Sequence, residues 1–548
     1  MSKRVRILCL LLIFFVLSVV ITYPAFMGGF FKATMDGEAH LYKMNDITAA
    51  LRSGRLPQFV NYEGYSNTGM AFNGMYPWIA NLIFIIPRLI VAKPVTALAI
   101  GLVLLNMLTM INAYLLARKL TSNLYWRLLG VFIYEFNAYH LTVIYGRNAW
   151  GEALAYVFMP LVFLGCIQIW QNDKWGILSL GLGMGMIANS HMISVLYTLI
   201  FIIVAEVYRL CSRSLTFREV RDYIFAGIIA FLVSCYSIIN IGILMLKNDM
   251  VTPWKALHTI DPLVMIQSAI RNTVTDVEAW SIGIVAMITL FVMGAQLLKK
   301  NSGSWRVWII SAFITLILIT SWIPYPTFLK NSFFGNLQFV ARLYTYVVMF
   351  LVIGLLIYLE NNKVKLSAKN CLIIATSLLV LTGASGVLSY HKTTGDHPIR
   401  FYLDNNNYHQ ELSRGKDCWY DYMVNVDGKW AFDIQNLPDD FAKDSRVNAN
   451  AKMITFDFES KRAGNFKLPF VLYNGVDYQV TVNGKRVKNF EKDQTVYVAA
   501  KKGNNSVTVT SKVPSFTYIT FSVSILTIII GTVLLLRNAY KENNQLLS

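Results

Sequence analysis

The chain has 548 residues, of which 55% are hydrophobic, 14% aromatic and only 15% charged, with a mean hydropathy of +0.47. That is too apolar for a soluble chain of this length, so lipid is expected to be its main solvent. The formal net charge of +18 does not point to nucleic acid, because the basic residues sit beside the ends of apolar runs, where membrane insertion places them.

From the N-terminus, the basic MSKRVR is followed by an apolar run to Tyr23 with no small-residue cleavage site, which reads as an uncleaved first helix with its start inside the cell. Further apolar runs fall at about 95–117, 128–143, 153–170, 175–190, 192–210, 223–245, 279–298, 306–323, 341–359, 370–389 and 514–536, predicting about twelve helical spans. Arg118 and Lys119, Arg209 to Arg221, Arg306, Lys363, Lys365 and Lys369, and Arg537 with Lys541 then all lie on the inner side. This sidedness requires Tyr76–Val91, interrupted by Pro87 and Arg88, to lie along the outer interface instead of crossing. Both termini are then cytoplasmic. The expected fold class is an all-α polytopic membrane protein with a small extracytoplasmic β-sandwich.

Three units are expected: a transmembrane unit over 1–390 with an outer loop at 24–94, an outer β-rich unit over 391–513, and a last helix with a short tail over 514–548. Period-two alternation in Ile454–Phe458, Tyr478–Val482, Thr495–Val498 and Ser506–Thr510 signals strands, and Asn483-Gly484 signals a hairpin. Five cysteines (Cys9, Cys166, Cys211, Cys235, Cys371) lie in or beside apolar segments and Cys418 is alone in the polar region, so no disulfide framework or zinc motif follows.

The first outer loop opens with Asp36, Glu38 and His40, a cluster suited to binding a cation or to taking a proton from an attacking hydroxyl, against the plainer reading of solvated loop residues. The next outer turn carries Arg147 and Glu152 at a helix mouth, where arginine either holds a phosphate or pairs with the glutamate. His191 and the pair Gln338 and Arg342 fall at two further outer helix mouths, with packing and snorkelling as the plainer alternatives. Glu135 falls mid-span and should face a polar interior. Asp249, Asp261, Asp276 and Glu278 lie in a longer outer loop with Trp254 and His258, which are able to stack on or bond a sugar. No nucleotide-binding glycine loop, GxSxG elbow or HExxH pair is present, which argues against a cytosolic nucleotide substrate.

The segments MDGEAHLYKMNDITAALRSGRLPQF, GMYPWIANLIF, YGRNAWGEALAYVFMPLVFL, NSHMISVLYT, NLQFVARLYTY and LPFVLYNGVDYQVTVNGKRV together resemble the multi-spanning C-type (GT-C) glycosyltransferases, and among them the bacterial membrane proteins called 6-pyruvoyl-tetrahydropterin synthase-related or YfhO-like. The likeness covers most of the chain and departs at Val340, where relatives have proline. It implies a bacterial plasma-membrane enzyme that transfers a sugar from an undecaprenyl-phosphate donor to a cell-surface glycan. Asp36 would be the general base of an inverting displacement, Arg147 or Arg342 would neutralise the lipid phosphate, and Glu38 and His40 are candidate ligands should a divalent metal take part. The competing classes are a lipid or polysaccharide transporter and a non-catalytic membrane scaffold.

Overall fold

The computed structural model describes residues 3–251, 254–275, 280–299, 302–362, 367–393, 399–414, 422–425, 445–492 and 494–545; Lys363, Lys365, Asp276, Glu278 and Cys418 lie outside them. Helix α1 (Lys3–Thr22) leads through a 3-10 turn into strand β1 (Phe31–Thr34) and helix α2 (Met35–Arg52). The short α3 (Phe72–Met75) and α4 (Leu82–Ile90) precede α5 (Pro94–Leu120), α6 (Leu124–Glu135) and the single turn α7 (Ala138–Leu141). Then come α8 (Trp150–Trp170), α9 (Trp175–Ala188), α10 (Met192–Cys211) and α11 (Phe217–Lys247). Strand β2 (Leu257–His258) and α12 (Pro262–Arg271) lead to α13 (Ile284–Leu297), α14 (Trp305–Ile319) and α15 (Tyr325–Leu329). Strand β3 (Gln338–Phe339) precedes α16 (Tyr344–Asn361) and α17 (Ala368–Lys392), followed by β4 (Ile399–Leu403) and α18 (Tyr408–Arg414). Strands β5 (Arg446–Asn450), β6 (Met453–Ser460), β7 (Gly464–Val471), β8 (Asp477–Val482), β9 (Lys485–Val487), β10 (Glu491–Lys492), β11 (Thr495–Ala500) and β12 (Gly503–Lys512) end at α19 (Ser515–Gln545).

Among the described residues eight helices are long and apolar enough to cross a bilayer: Arg4–Gly29, Pro94–Leu120, Trp150–Trp170, Met192–Cys211, Phe217–Lys247, Val340–Asn361, Ala368–Lys392 and Ser515–Lys541. By length and composition eight are shown, and the expected twelve are not confirmed. The segments expected at 175–190, 279–298 and 306–323 form shorter helices of 14, 14 and 15 residues, about 21–23 Å long against a hydrocarbon thickness of about 30 Å. The segment expected at 128–143 is broken after Glu135. Asn137 accepts a bond from His140 N at 3.1 Å and gives one to Tyr134 O at 2.7 Å, so a side chain takes over backbone partners there. The expected interfacial stretch Tyr76–Val91 forms a 3-10 turn and then α4, with Pro87 inside it.

Polar contacts sort the helix termini into two ends of the bundle. At one end Lys119 meets Asp173 at 3.0 Å, Thr121 donates to Glu360 at 2.6 Å, Arg218 reaches Asn172 O at 2.9 Å, and Arg118 reaches Ala539 O at 3.2 Å. At the other end Asn405 accepts from Val95 N at 2.9 Å, Lys32 donates to Tyr390 O at 2.7 Å, and Tyr344 donates to Trp280 O at 3.0 Å. The starts of α8 and α16 therefore share an end with the close of α17, and the broken segment from Leu124 to Gly146 passes from one end to the other. In the middle, the short α9 is clasped between α8 and α11. A Cβ on Gly185 would lie 2.5 Å from Val233 Cβ, and one on Gly183 would lie 2.8 Å from Val162 N, so glycine on opposite faces lets both neighbours approach.

The late strands form antiparallel sheets in the orders β5-β6-β12-β8-β9 and β10-β11-β7. Alternate residues such as Ile454, Phe456 and Phe458 or Val507 and Val509 are buried, as a half-buried strand requires. Asn483 and Gly484 take φ of +53° and +77° and close Val482 onto Lys485, the two-residue hairpin geometry their sequence signals. This region sits on the segment after α2. Gln58 donates to Ser511 O at 2.6 Å, Val471 N donates to Thr68 O at 2.8 Å, and the Tyr62 ring stacks on Phe470.

Replacing Gly185 by leucine should force α9 and α11 apart at a cost of about 1–3 kcal/mol. Thermal unfolding in detergent should show a midpoint several degrees lower, whereas the same change at Gly227, which has nothing within 4 Å of its Cβ position, should leave it within a degree or so.

Candidate functional site

The strand β1 turns into α2 through Thr34, whose hydroxyl caps the helix at Gly37 N and bonds Arg147 O. Thr34 N in turn donates to Asn148 Oδ1 at 2.9 Å, and Asn148 adopts φ of +53°. A Cβ on Gly37 would lie 2.6 Å from that same oxygen. These contacts pin the first turn of α2 against the turn that carries Arg147. Asp36, in that first turn, places its carboxylate 3.6 Å from Arg147 Nη2 and keeps 35% of its side chain exposed. Carboxylates at a helix N-terminus are favoured by the free N–H groups there.

Arg147 also meets Glu152 at 3.1 Å, and Glu152 accepts from Arg342 Nε at 3.3 Å and from the Tyr139 hydroxyl at 2.5 Å. Arg342 donates further to Leu337 O at 2.9 Å. Both guanidiniums face the ring of Phe339, at 5.5 and 5.4 Å, and Arg147 lies 4.8 Å from the Trp280 ring. Burial opposes the charge on Arg147, but Glu152 and Asp36 outweigh it and raise its pKa above the usual arginine value. Two arginines and two carboxylates thus form one chain, Asp36–Arg147–Glu152–Arg342, whose formal charges cancel.

Two histidines flank this chain. His191 is pushed down to about 3 by burial and then by Arg342, so it is neutral at physiological pH; its Nδ1 lies 2.8 Å from Ser194 Oγ. His40 is held well below the usual imidazole range by burial, with Lys43 and His191 adding to it, and its Nε2 accepts from Gly151 N at 3.5 Å. A small hollow continues inward from Glu152 and Arg342, lined by Tyr156, Ser194, Tyr197, Thr345 and Tyr346.

Of the residues expected in the site, Asp36, Arg147, Glu152 and Arg342 are joined directly and His40 and His191 stand beside them. Glu38, two residues along α2, turns away: it is buried with Oε1 3.1 Å from the Tyr42 hydroxyl. Glu38 and His40 therefore face different neighbours, and no group of three His, Cys, Asp or Glu side chains able to hold a metal gathers among the described residues. Gln338 points to Trp254 O at 3.3 Å. Asp249 accepts from Asn425 at 3.1 Å and Asp261 caps α12, so both serve local structure. Glu135 is fully buried with His140 Nδ1 4.0 Å from its carboxylate.

Tyr139, Asn148, Lys43 and Asp46 were not singled out from sequence. Lys43 is buried with its ammonium 4.2 Å from the Tyr76 ring centroid and donates to Pro77 O at 3.1 Å; burial holds its pKa well below the usual lysine range. Asp46, one face of α2 away, is buried among Asn61 and Asn73, and burial raises its pKa from 3.8 to about 7. Helix α2 is buried on nearly all sides, and no hydrophobic periodicity in its sequence sets Lys43 and Asp46 apart.

No protein-family model matches the chain, and no curated protein matches it. Among solved structures it is similar to the cryo-EM structure of arabinofuranosyltransferase AftD from Mycobacteria, with 16% identity over 71% of this chain and 27% of that one and a TM-score of 0.48. A mutant form of AftD aligns with 15% identity over 70% and 28% of the two chains, at a TM-score of 0.46. The chain thus spans about a quarter of the length of those proteins.

Removing charge from Glu152 leaves two buried guanidiniums without their shared counter-ion, which by analogy with other buried pairs costs about 3–5 kcal/mol. Glu152→Gln should lower the thermal midpoint in detergent markedly, while Asp173→Asn, at the part-exposed pair with Lys119, should shift it by less than about 1 kcal/mol in stability. Asp46 supplies a pH test. Its folded pKa lies above its unfolded one, so its contribution is complete below pH 3.8 and is lost as pH rises to about 7. Between pH 3.8 and about 7 wild-type protein should lose stability relative to Asp46→Asn, so the difference between the two profiles, and not the wild-type profile alone, reads this contribution.

Proposed function

We propose that the chain is a membrane glycosyltransferase that moves a sugar from a polyprenyl-phosphate carrier to an acceptor glycan hydroxyl, with Asp36 as general base. The observation that carries this reading is a half-open carboxylate touching one of two arginines that share a single buried glutamate. In this reading the site end of the bundle faces outward, in the plasma membrane of a bacterium with both termini cytoplasmic. Residues 1–390 and 514–548 form the membrane unit, and the β-rich unit over 391–513 lies outside and holds the acceptor.

The donor phosphate sits against Arg147 and Arg342. Each guanidinium has five N–H donors, so the bonds to Asp36, Glu152 and Leu337 O leave donors on both. The acceptor O–H gives its proton to Asp36 as its oxygen attacks the anomeric carbon. The bond from that carbon to the phosphate oxygen breaks, and the lipid phosphate leaves with the electron pair. As Asp36 takes the proton it ceases to neutralise Arg147, so positive charge appears beside the phosphate in the same step that makes the phosphate more negative. Glu152 stays ionised and holds both arginines in place. One displacement inverts the anomeric configuration. His40 and His191, both neutral, orient backbone and hydroxyl groups around the base.

The buried Glu135 beside His140 is a feature that a proton-coupled transporter would also carry. Purified protein in detergent, with no sealed compartment, separates the classes: an enzyme transfers sugar there and a transporter does nothing measurable. Asp36→Asn should lower transfer by about 10²–10⁴-fold at normal protein level, the range general-base catalysis supplies. Unchanged transfer by the variant would remove Asp36 from this role.

A further inference from the structure

Beyond the spans, the site end of the bundle carries a band of exposed aromatic and aliphatic side chains on two elements that cross nothing. One element is α12, with Leu263 62% and Ile270 64% exposed. The other is the stretch from the end of α14 through α15 to β3, where Trp322 is 68%, Phe328 79% and Phe333 61% exposed, and where Lys330 is the single charged residue between Ser321 and Gln338. Ser321 N donates to Ile260 O at 3.0 Å and ties the two elements together. A contiguous apolar surface of this kind is not stable against water.

Its neighbours indicate what covers it. The exposed faces of α13 and α14, with Ile288, Phe291, Ile310 and Ile314, are the flanks of apolar helices and suit contact with lipid. Exposed apolar residues continue up α14 through Ile317 and Leu318 and resume at Trp322 and Ile323. Tyr325 donates to Leu318 O at 2.6 Å and folds α15 back beside the helix end. Lys255 Nζ reaches Asn331 O at 3.4 Å, Arg271 closes α12 and Lys330 follows α15, a mixture of aromatic rings and basic residues that suits a headgroup layer.

We propose that α12 and the segment 321–334 form a lipid-inserted flap, seated in the interfacial layer of the leaflet at the site end, which sets the depth of the two arginines. The flap is joined to them by short links. Leu257 and His258 pair in parallel with Gln338 and Phe339, and the His258 ring stacks on Phe339 at 5.9 Å. Phe339 is the ring that both Arg147 and Arg342 face. Seating the flap among lipid headgroups therefore places the guanidiniums at headgroup level, where phosphates of any membrane lipid lie. The depth of the flap in the bilayer stands apart from the reaction assigned to Asp36.

The test is a nitroxide scan of the full chain in nanodiscs of phosphatidylethanolamine and phosphatidylglycerol, on a background with the native cysteines replaced. Labels go at Phe328→Cys and, as a second position, Phe333→Cys. References are Ile314→Cys on α14 and Lys485→Cys on the exposed hairpin of the β-rich region. Collision with oxygen, which concentrates in lipid, is compared with collision with a water-soluble nickel chelate. The flap positions should show nickel collision several-fold below Lys485→Cys, with oxygen collision approaching Ile314→Cys. Nickel collision equal to that at Lys485→Cys would mean water covers the flap, and low collision with both reagents would mean a second protein copy does. Either result overturns the proposal.

Discussion

The structure turns on one buried carboxylate. Glu152 lies at the start of α8, among the most enclosed helices of the bundle, and a charge there is tolerable only because two guanidiniums and a tyrosine hydroxyl surround it. Those partners come from three separate places: the turn before α8, the mouth of α16 and the short α7. Satisfying Glu152 therefore draws three chain segments to one point, and the same point meets the first turn of α2 through Arg147 and Asn148. A structural need and a chemical opportunity coincide, since an arginine recruited to neutralise Glu152 still has donors to offer a phosphate.

The break after Glu135 serves that convergence. An unbroken helix from Leu124 would continue past the level of Glu152 with Tyr139 on a regular helical face. Instead the Asn137 cap and the wide turn over Thr142–Gly146 redirect the chain, so that Tyr139 reaches Glu152 and Arg147 emerges beside α2. The glycine-bearing α9 has a comparable role in packing: its small residues let α8 and α11 close around it.

Much of this was legible in the sequence where the controlling physics is local. Apolar run length marked the long helices, and Asn483-Gly484 marked a hairpin because φ above zero is needed at both positions. The position of Asp36, Arg147, Glu152, His191 and Arg342 at helix mouths followed from where apolar runs end. The pairing of Arg147 with Glu152 lies within five residues and was weighed as one of two readings; that Arg342 joins the same carboxylate from 190 residues away depends on packing. Run length missed the interruption where a capping side chain breaks a helix, as at Asn137, whereas the run expected at 175–190 is helix α9 over Trp175–Ala188. That Glu38 faces Tyr42 while Asp36 faces Arg147 was not legible, because residues two apart on a helix face different directions and α2 is buried on both. The strands β5 and β7 lacked clean alternation and were not anticipated.

Stereochemistry tests the central claim most directly. With a polyprenyl-phosphate sugar of known anomeric configuration as donor, the configuration of the sugar on the acceptor is read by NMR. A single displacement assisted by Asp36, with Arg147 and Arg342 on the departing phosphate, predicts inversion. A product that retains the donor configuration would require a covalent intermediate on some other side chain and would contradict the account.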